Sequence, residues 1–299
     1  MSTSIKHIFL RAALLCGLVI SSVAAQAQVN RVQGRVVAAK VSGTVTALNR
    51  ADNTSKALAV GDEIKQNYVI QAGAGSSAVL VFSNGTSVAI AEDTMLAIDE
   101  FLQEPFSGEN VVAESKVEPS TSTTKLNVLR GELVANVKKL NRDKGSKFEV
   151  LTPIGAAGVR GTVFRIVVRA DANGQVTFSL ATSEGEVLLA GLDGSNIPVQ
   201  AGKEVTLEYN ATVDENGNIT TGSVRLPSNA AKDISGDAVR AIVNSLSAVE
   251  TALENLVLTL SPDTQTVQSA VDPNNPNTNQ NQNQNQNDDI NERPNSPIR

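Results

Sequence analysis

Most side chains in this sequence that could do chemistry are acidic, and they crowd together at a few points. Glu184 and Glu186 flank Gly185, and Glu92 adjoins Asp93. Two carboxylates set across a cleft can serve as acid and base on a glycosidic bond. Glu184 and Glu186 would share one face of a strand, but beside Gly185 they read as turn and rim residues. Asp214-Glu215-Asn216-Gly217-Asn218 invites a calcium reading. A helix-loop-helix calcium loop needs alternating acidic ligands, then glycine, then a distant glutamate. Gly217 comes too early for that and strand-like residues flank it, so a hairpin turn is expected. Gly155-Ala156-Ala157-Gly158-Val159-Arg160-Gly161 has the glycine density of a phosphate loop. Such a loop needs a helix behind it whose first amides hold the anion. Strand-like Thr162-Val163-Phe164-Arg165-Ile166-Val167-Val168 follows instead, so the glycines should serve turns and close sheet packing. Arg160 could hold an anionic ligand, but its five fixed donors also suit carbonyls or a carboxylate in a β turn, and the surroundings favour the latter.

Histidine and cysteine chemistry is absent from all but the first residues. His7 and Cys16 are the only ones of their kind in the chain. Both lie in residues 1–27, where Lys6, His7 and Arg11 precede an apolar run from Ala12 to Ile20 and a small-residue stretch ending Ala25-Gln26-Ala27. That is the layout of a cleaved secretory signal peptide, with the cut expected before Gln28. The apolar run is about half the ~20 residues a bilayer span requires. Leu15 before Cys16, and the short distance from Arg11, argue against lipid attachment at the cysteine. Beyond residue 27 a Ser-His-Asp triad, a thiol nucleophile and the usual zinc sites are therefore excluded. Losing Lys6 and Arg11 takes the 25 Lys+Arg of the chain to 23, against 31 Asp+Glu. A chain this acidic does not suit nucleic acid, whose binding depends on clustered cations. No later stretch is apolar enough to span a membrane.

Without disulfides, stability must come from burial, which this length permits. Trp is absent, and Phe and Tyr number 7 and 2, so Val, Leu, Ile and Ala must fill the core. Residues 36–45, 78–82, 87–91, 147–151, 162–168, 175–180, 186–190 and 204–209 are rich in the residues that favour strands. Between them stand Asn84-Gly85, Asn173-Gly174, Asp193-Gly194 and Asn216-Gly217, pairs that supply the positive φ of hairpin turns. The pattern predicts an all-β sandwich or roll of short antiparallel strands over residues 28–226. A polar, Ser/Thr/Glu-rich stretch at 107–125 reads as a long exposed connection between two β halves.

Residues 227–262 change period. Val239, Ile242, Leu246, Val249, Leu253 and Leu256 recur at three- and four-residue steps and form one apolar stripe on a helix over about 236–260. Ser235 is a suitable N-cap, and Ser261-Pro262 closes the far end. Two uses of the stripe stand: packing across the β unit, or binding a partner, including a second copy. Residues 263–299 read as a disordered tail, which from Asp272 onward is dominated by Asn, Gln and Pro and too polar to offset the entropy of ordering.

The segment around residue 160 resembles the FecR-type domain family. Phe148-Glu149-Val150-Leu151-Thr152-Pro153, then Val159-Arg160-Gly161-Thr162-Val163-Phe164, is similar to the family's central signature. Gly43-Thr44-Val45, Leu58-Ala59-Val60-Gly61-Asp62, Leu129-Arg130-Gly131-Glu132-Leu133 and Glu184-Gly185-Glu186-Val187 agree in order over about residues 35–210. The resemblance implies a periplasmic β domain associated with envelope signalling. In the best-known members it follows a membrane helix and a cytoplasmic segment that holds a sigma factor. A signal peptide stands there instead, so only an extracytoplasmic sensing or docking role carries over. The combined expectation is a non-catalytic binding or signalling module of the bacterial envelope, without cofactor or metal, whose partner is another envelope protein. A surface or matrix polysaccharide-binding or structural role is the alternative, for which the aromatic platforms of sugar sites are scarce.

Overall fold

The computed structural model describes residues 31–106, 115–171, 173–215, 218–222 and 224–254. Residues 1–27, read above as a signal peptide, residues 263–299, read as a tail, Asn216-Gly217 and Leu256 lie outside them. Eighteen strands, one α-helix and one 3-10 turn (Arg142–Lys144) make up the described residues. The first nine strands are β1 (Val32–Gln33), β2 (Val36–Ser42), β3 (Val45–Asn49), β4 (Ser55–Ala57), β5 (Glu63–Ile64), β6 (Tyr68–Ala72), β7 (Ser77–Phe82), β8 (Ser87–Ile90) and β9 (Thr94–Gln103). After them come β10 (Ser122–Asn136), β11 (Lys147–Thr152), β12 (Gly155–Ala170), β13 (Gln175–Gly191), β14 (Asn196–Gln200), β15 (Lys203–Asn210), β16 (Thr212–Val213), β17 (Ile219–Thr220) and β18 (Ala231–Asp233), then helix α1 (Gly236–Glu254).

All strands but β16 and β17 belong to one hydrogen-bonded network, folded into two layers that share three long strands. The first half of β10 pairs with β9 and β11, its second half with β8 and β12. Likewise β12 leaves β11 for β10, and β13 exchanges β14 for β15. The first layer is therefore β5, β2, β7, β8, then the shared strands, β15 and β18. The second is β4, β3, β6, β9, β10, β11, β12, β13 and β14. Alternation along each strand sends one set of side chains between the layers. Phe82, Phe101, Phe164, Phe178, Leu80 and Leu126 meet there in one core, with Phe82 and Phe101 edge to face at 5.1 Å.

The strands are longer than the sequence pattern suggests, because glycines read as breaks are bulges inside continuous strands. Gly161 (φ +55°) and Gly185 (φ +76°) oppose each other where the register of β12 and β13 shifts. A Cβ on Gly185 would come within 2.7 Å of the Gly161 carbonyl oxygen. Only glycine fits so close an approach at positive φ, and a bulge adds the bend that lets a strand change layers. Gly131 does the same in β10, where a Cβ would lie 2.3 Å from Thr94 Cα. One pair, β10 with β11, is parallel, an exception to the antiparallel expectation.

The exposed connection expected over 107–125 is corrected at its far end. Ser122 to Lys125 belongs to β10, and Glu118, Thr121, Ser122 and Thr124 are buried. The Glu118 carboxylate accepts hydrogen bonds from Ser122 Oγ (2.7 Å), Asn141 N (2.6 Å) and Ser146 Oγ. So many donors make a buried carboxylate tolerable, which polar composition alone does not reveal. The Asn84-Gly85 turn of the β7–β8 hairpin is also buried. Asn84 Oδ1 accepts from Thr86 N (3.0 Å) and Nδ2 donates to Ser122 Oγ (3.1 Å), while Gly85 N donates to Phe82 O (2.8 Å).

Candidate functional site: the open face of the second layer

The outer face of the first layer is covered. Helix α1 starts at Ser235, whose Oγ accepts from Ala238 N at 3.2 Å, as an N-cap should. Glu204 on β15 accepts from Ser235 N (3.0 Å) and from Ser179 Oγ (2.6 Å). Burial would push the Glu204 carboxyl up, but the Ser179 and Ser235 hydrogen bonds outweigh it and hold the group below its ordinary range. Ile242 packs with Val134 and Val163, and Val249 and Ala252 with Val37, Val79 and Val81. Beside the helix, Glu132 accepts both Arg165 Nε (2.7 Å) and Arg165 Nη2 (2.9 Å), and also Arg169 Nη2 (3.1 Å). Of the stripe residues, Ile242 and Val249 are buried, Leu246 and Leu253 are partly buried, and Val239 is 41% exposed. The stripe is largely spent on the chain's own sheet.

The second layer has no such cover among the described residues. Its outward side chains fall into rows that cross the strands. One row runs Ala97, Asn127, Leu151, Ala156, Ala190, Asn196. The next runs Glu100, Lys125, Glu149, Gly158, Leu188, Pro198. Beyond it lie Thr123 beside Lys147, and Arg160 beside Glu186. Two contiguous hollows mark this face. One, of about 570 Å³, is walled by Lys125, Lys147, Glu149, Gly158, Arg160 and Leu188. The other, of about 420 Å³, is walled by Leu129, Leu151, Pro153, Ala156 and Leu192. Leu188 and Leu192 are 46% and 57% exposed.

The signature residues build this face. Thr152 Oγ1 donates to Gly155 O (2.9 Å) and closes the turn with Pro153. A Cβ on Gly155 would lie 2.0 Å from Ala190 O. Thr162 donates through Oγ1 to Glu186 O (3.2 Å) and exchanges backbone bonds with Val137. Val159 and Phe164 point into the core. Arg160 is corrected: it lies in a strand rather than a turn, its side chain is exposed, and the ion pairs of the described residues lie elsewhere. Lys125, half-buried opposite Glu149, likewise stands outside the ion pairs of the described residues. Cross-strand opposite charges ordinarily attract, so this face carries complementary charges that have not closed on one another. Glu184 and Glu186 are both exposed on the rim. The short strands β16 and β17 pair antiparallel around Asp214, as a hairpin requires.

Three long strands that cross between layers, two of them bent at the Gly161 and Gly185 bulge, define a β-sandwich with one outer face left open among the described residues. Residues 68–188 match the family described as FecR protein. The match spans β6 to β13 and includes the whole signature. Two crystal structures of a candidate anti-sigma factor from Parabacteroides distasonis ATCC 8503 are similar at 16% and 17% identity, with TM-scores of 0.37 and 0.38. Each covers 62% of this chain, and 74% and 72% of its own. No curated protein matches the chain. No described helix is long and apolar enough to cross a membrane.

Sequence reasoning missed the open face and the Glu132–Arg165–Arg169 cluster. The signal for the face was present as the period-two alternation of Thr123, Lys125 and Asn127 against Leu126 and Val128. Only the register shows that Lys125, Glu149, Gly158 and Leu188 form one row.

Proposed function

We propose that this chain is an exported, non-catalytic recognition module of the cell envelope that docks a protein through the open face of the second layer. The observation that carries the reading is the contrast in cover: the helix shields one outer face, while the other keeps unclosed charges beside exposed Leu188 and Leu192. The FecR-family domain supports a regulatory role, and the signal-like residues 1–27 support export. Proteins recognise one another through apolar centres ringed by charges, and this face has both.

A photo-crosslinking residue at Leu188 in living cells tests the proposal. It should yield a discrete crosslinked protein in the envelope fraction, with a processed N-terminus on the chain. The same residue at Val60, exposed on a distant loop, should not. Equal, diffuse labelling at both positions, or an unprocessed chain in the cytosol, would refute it.

A further inference from the structure

We infer that the occupant of the open face is a second copy of this chain, packed about a two-fold axis that crosses the strands. The inference rests on the docking role proposed above and names its partner. The chain as a whole is acidic, at −6. Around the larger hollow, however, Glu100, Glu149 and Glu186 are interleaved with Lys125, Arg142, Lys147 and Arg160, so the face is of mixed sign and close to neutral. A strongly acidic or basic partner would find no matching field here. A surface with the same alternation would, and the chain itself supplies one.

The geometry specifies how. Lys147 and Glu149 project from the same side of β11, two residues apart, and Gly158 and Arg160 do so from β12. Side chains two residues apart on a strand are about 7 Å apart. A two-fold axis lying between these two rows exchanges them. Each Lys147 then faces Glu149 of the other copy, giving a pair of equivalent ion pairs. Each Arg160 enters the gap above the other copy's Gly158, beside that copy's Glu149. Gly158 has the room: a Cβ there would meet nothing closer than Leu188 O at 3.8 Å. Isologous contacts of this kind are the commonest route to soluble dimers. Six strands make a patch roughly 29 Å wide, at the small end for stable dimers, so dissociation in the micromolar range is expected.

Sedimentation velocity on the purified chain, from about 1 to 100 µM, measures the association. A reversible dimer is expected. Lys147→Glu places like charges against each other and should weaken it at least about tenfold. Lys147→Glu/Glu149→Lys restores opposite charges across the axis and should recover dimerisation. Gly158→Leu fills the gap and should abolish the dimer while leaving thermal unfolding unchanged. A chain that stays monomeric throughout overturns the inference. So does a dimer indifferent to Lys147→Glu and Gly158→Leu. If the chain is monomeric but the Leu188 crosslink captures a different protein, the docking reading stands and only the choice of occupant falls. If neither dimer nor crosslink appears, both fall.

Discussion

The outer faces of the two layers are made of similar strands, yet one is finished and the other is not. On the first, Val37, Val79, Val81, Val134 and Val163 are apolar on both sides of the strand, and α1 was needed to keep them from water. On the second, Val69, Met95 and Ala97 form a small buried cluster of their own, but from β10 to β13 the outward residues mix charge, glycine, alanine and leucine, which water tolerates and a partner can also satisfy. An outward face becomes internal structure when its residues leave no alternative, and an available surface when its residues suit both states. The same sheet can therefore hold a fold together on one side and present itself on the other.

The sharpest way to break this contrast is to strip the helix from its face. Ile242→Ala should destabilise the chain by about 2–4 kcal/mol, as loss of a fully buried isoleucine does, read as a lower urea midpoint. A cost below ~0.5 kcal/mol would mean that α1 is not integral to the fold. Next comes the charged border of that face. Glu132→Gln leaves the largely buried Arg165 guanidinium with one neutral partner, and about 1.5–3 kcal/mol of stability should go. Restoration by Glu132→Asp in part would show that charge, not packing, carries the effect.

The attachment of α1 should also respond weakly to acid. Glu204 is held below its ordinary value of 4.5 in the folded chain. A group depressed on folding contributes stability above its unfolded pKa and loses it as pH falls through the folded value. The unfolding midpoint of the native chain should therefore decline more steeply below pH 4.5 than that of Glu204→Gln, in paired thermal melts. Identical acid limbs would remove Glu204 from the account. The smallest effect belongs to the open face. Leu188→Ser should change stability by no more than about 0.5 kcal/mol, and a larger loss would show that the face is more internal than its exposure implies.

Much of the architecture could be read from residue order. The hairpin pairs at Asn84-Gly85, Asn173-Gly174 and Asp193-Gly194 do stand between successive strands. The helix was legible from its apolar period, but its contact line was not. That line runs Ala238, Ile242, Val249, Ala252, and a count of large side chains overlooks alanines that let a helix lie close. Val239 entered the stripe on size and stands in solvent. Strand length was hidden because Gly161 and Gly185 each look like a stop, and only as an opposed pair do they become a bend. The buried Glu118 could not be seen, since two of its donors, Asn141 and Ser146, flank a turn more than twenty residues further along the chain.

The burial of the β7–β8 turn bears on how the protein ages. Asparagine followed by glycine is the pair most prone to deamidation, because the glycine nitrogen can attack the side-chain carbonyl to form a succinimide. At Asn84 that nitrogen already donates to Phe82, and the amide is pinned at both ends. At Asn173, also followed by glycine, the Gly174 nitrogen likewise donates to Asp171 O (3.2 Å), but the side chain is exposed and held only through Nδ2 to Asp171 Oδ2 (3.5 Å). Chemical wear should accumulate at the β12–β13 tip and spare the older-looking motif within, as peptide mass mapping of stored protein would record.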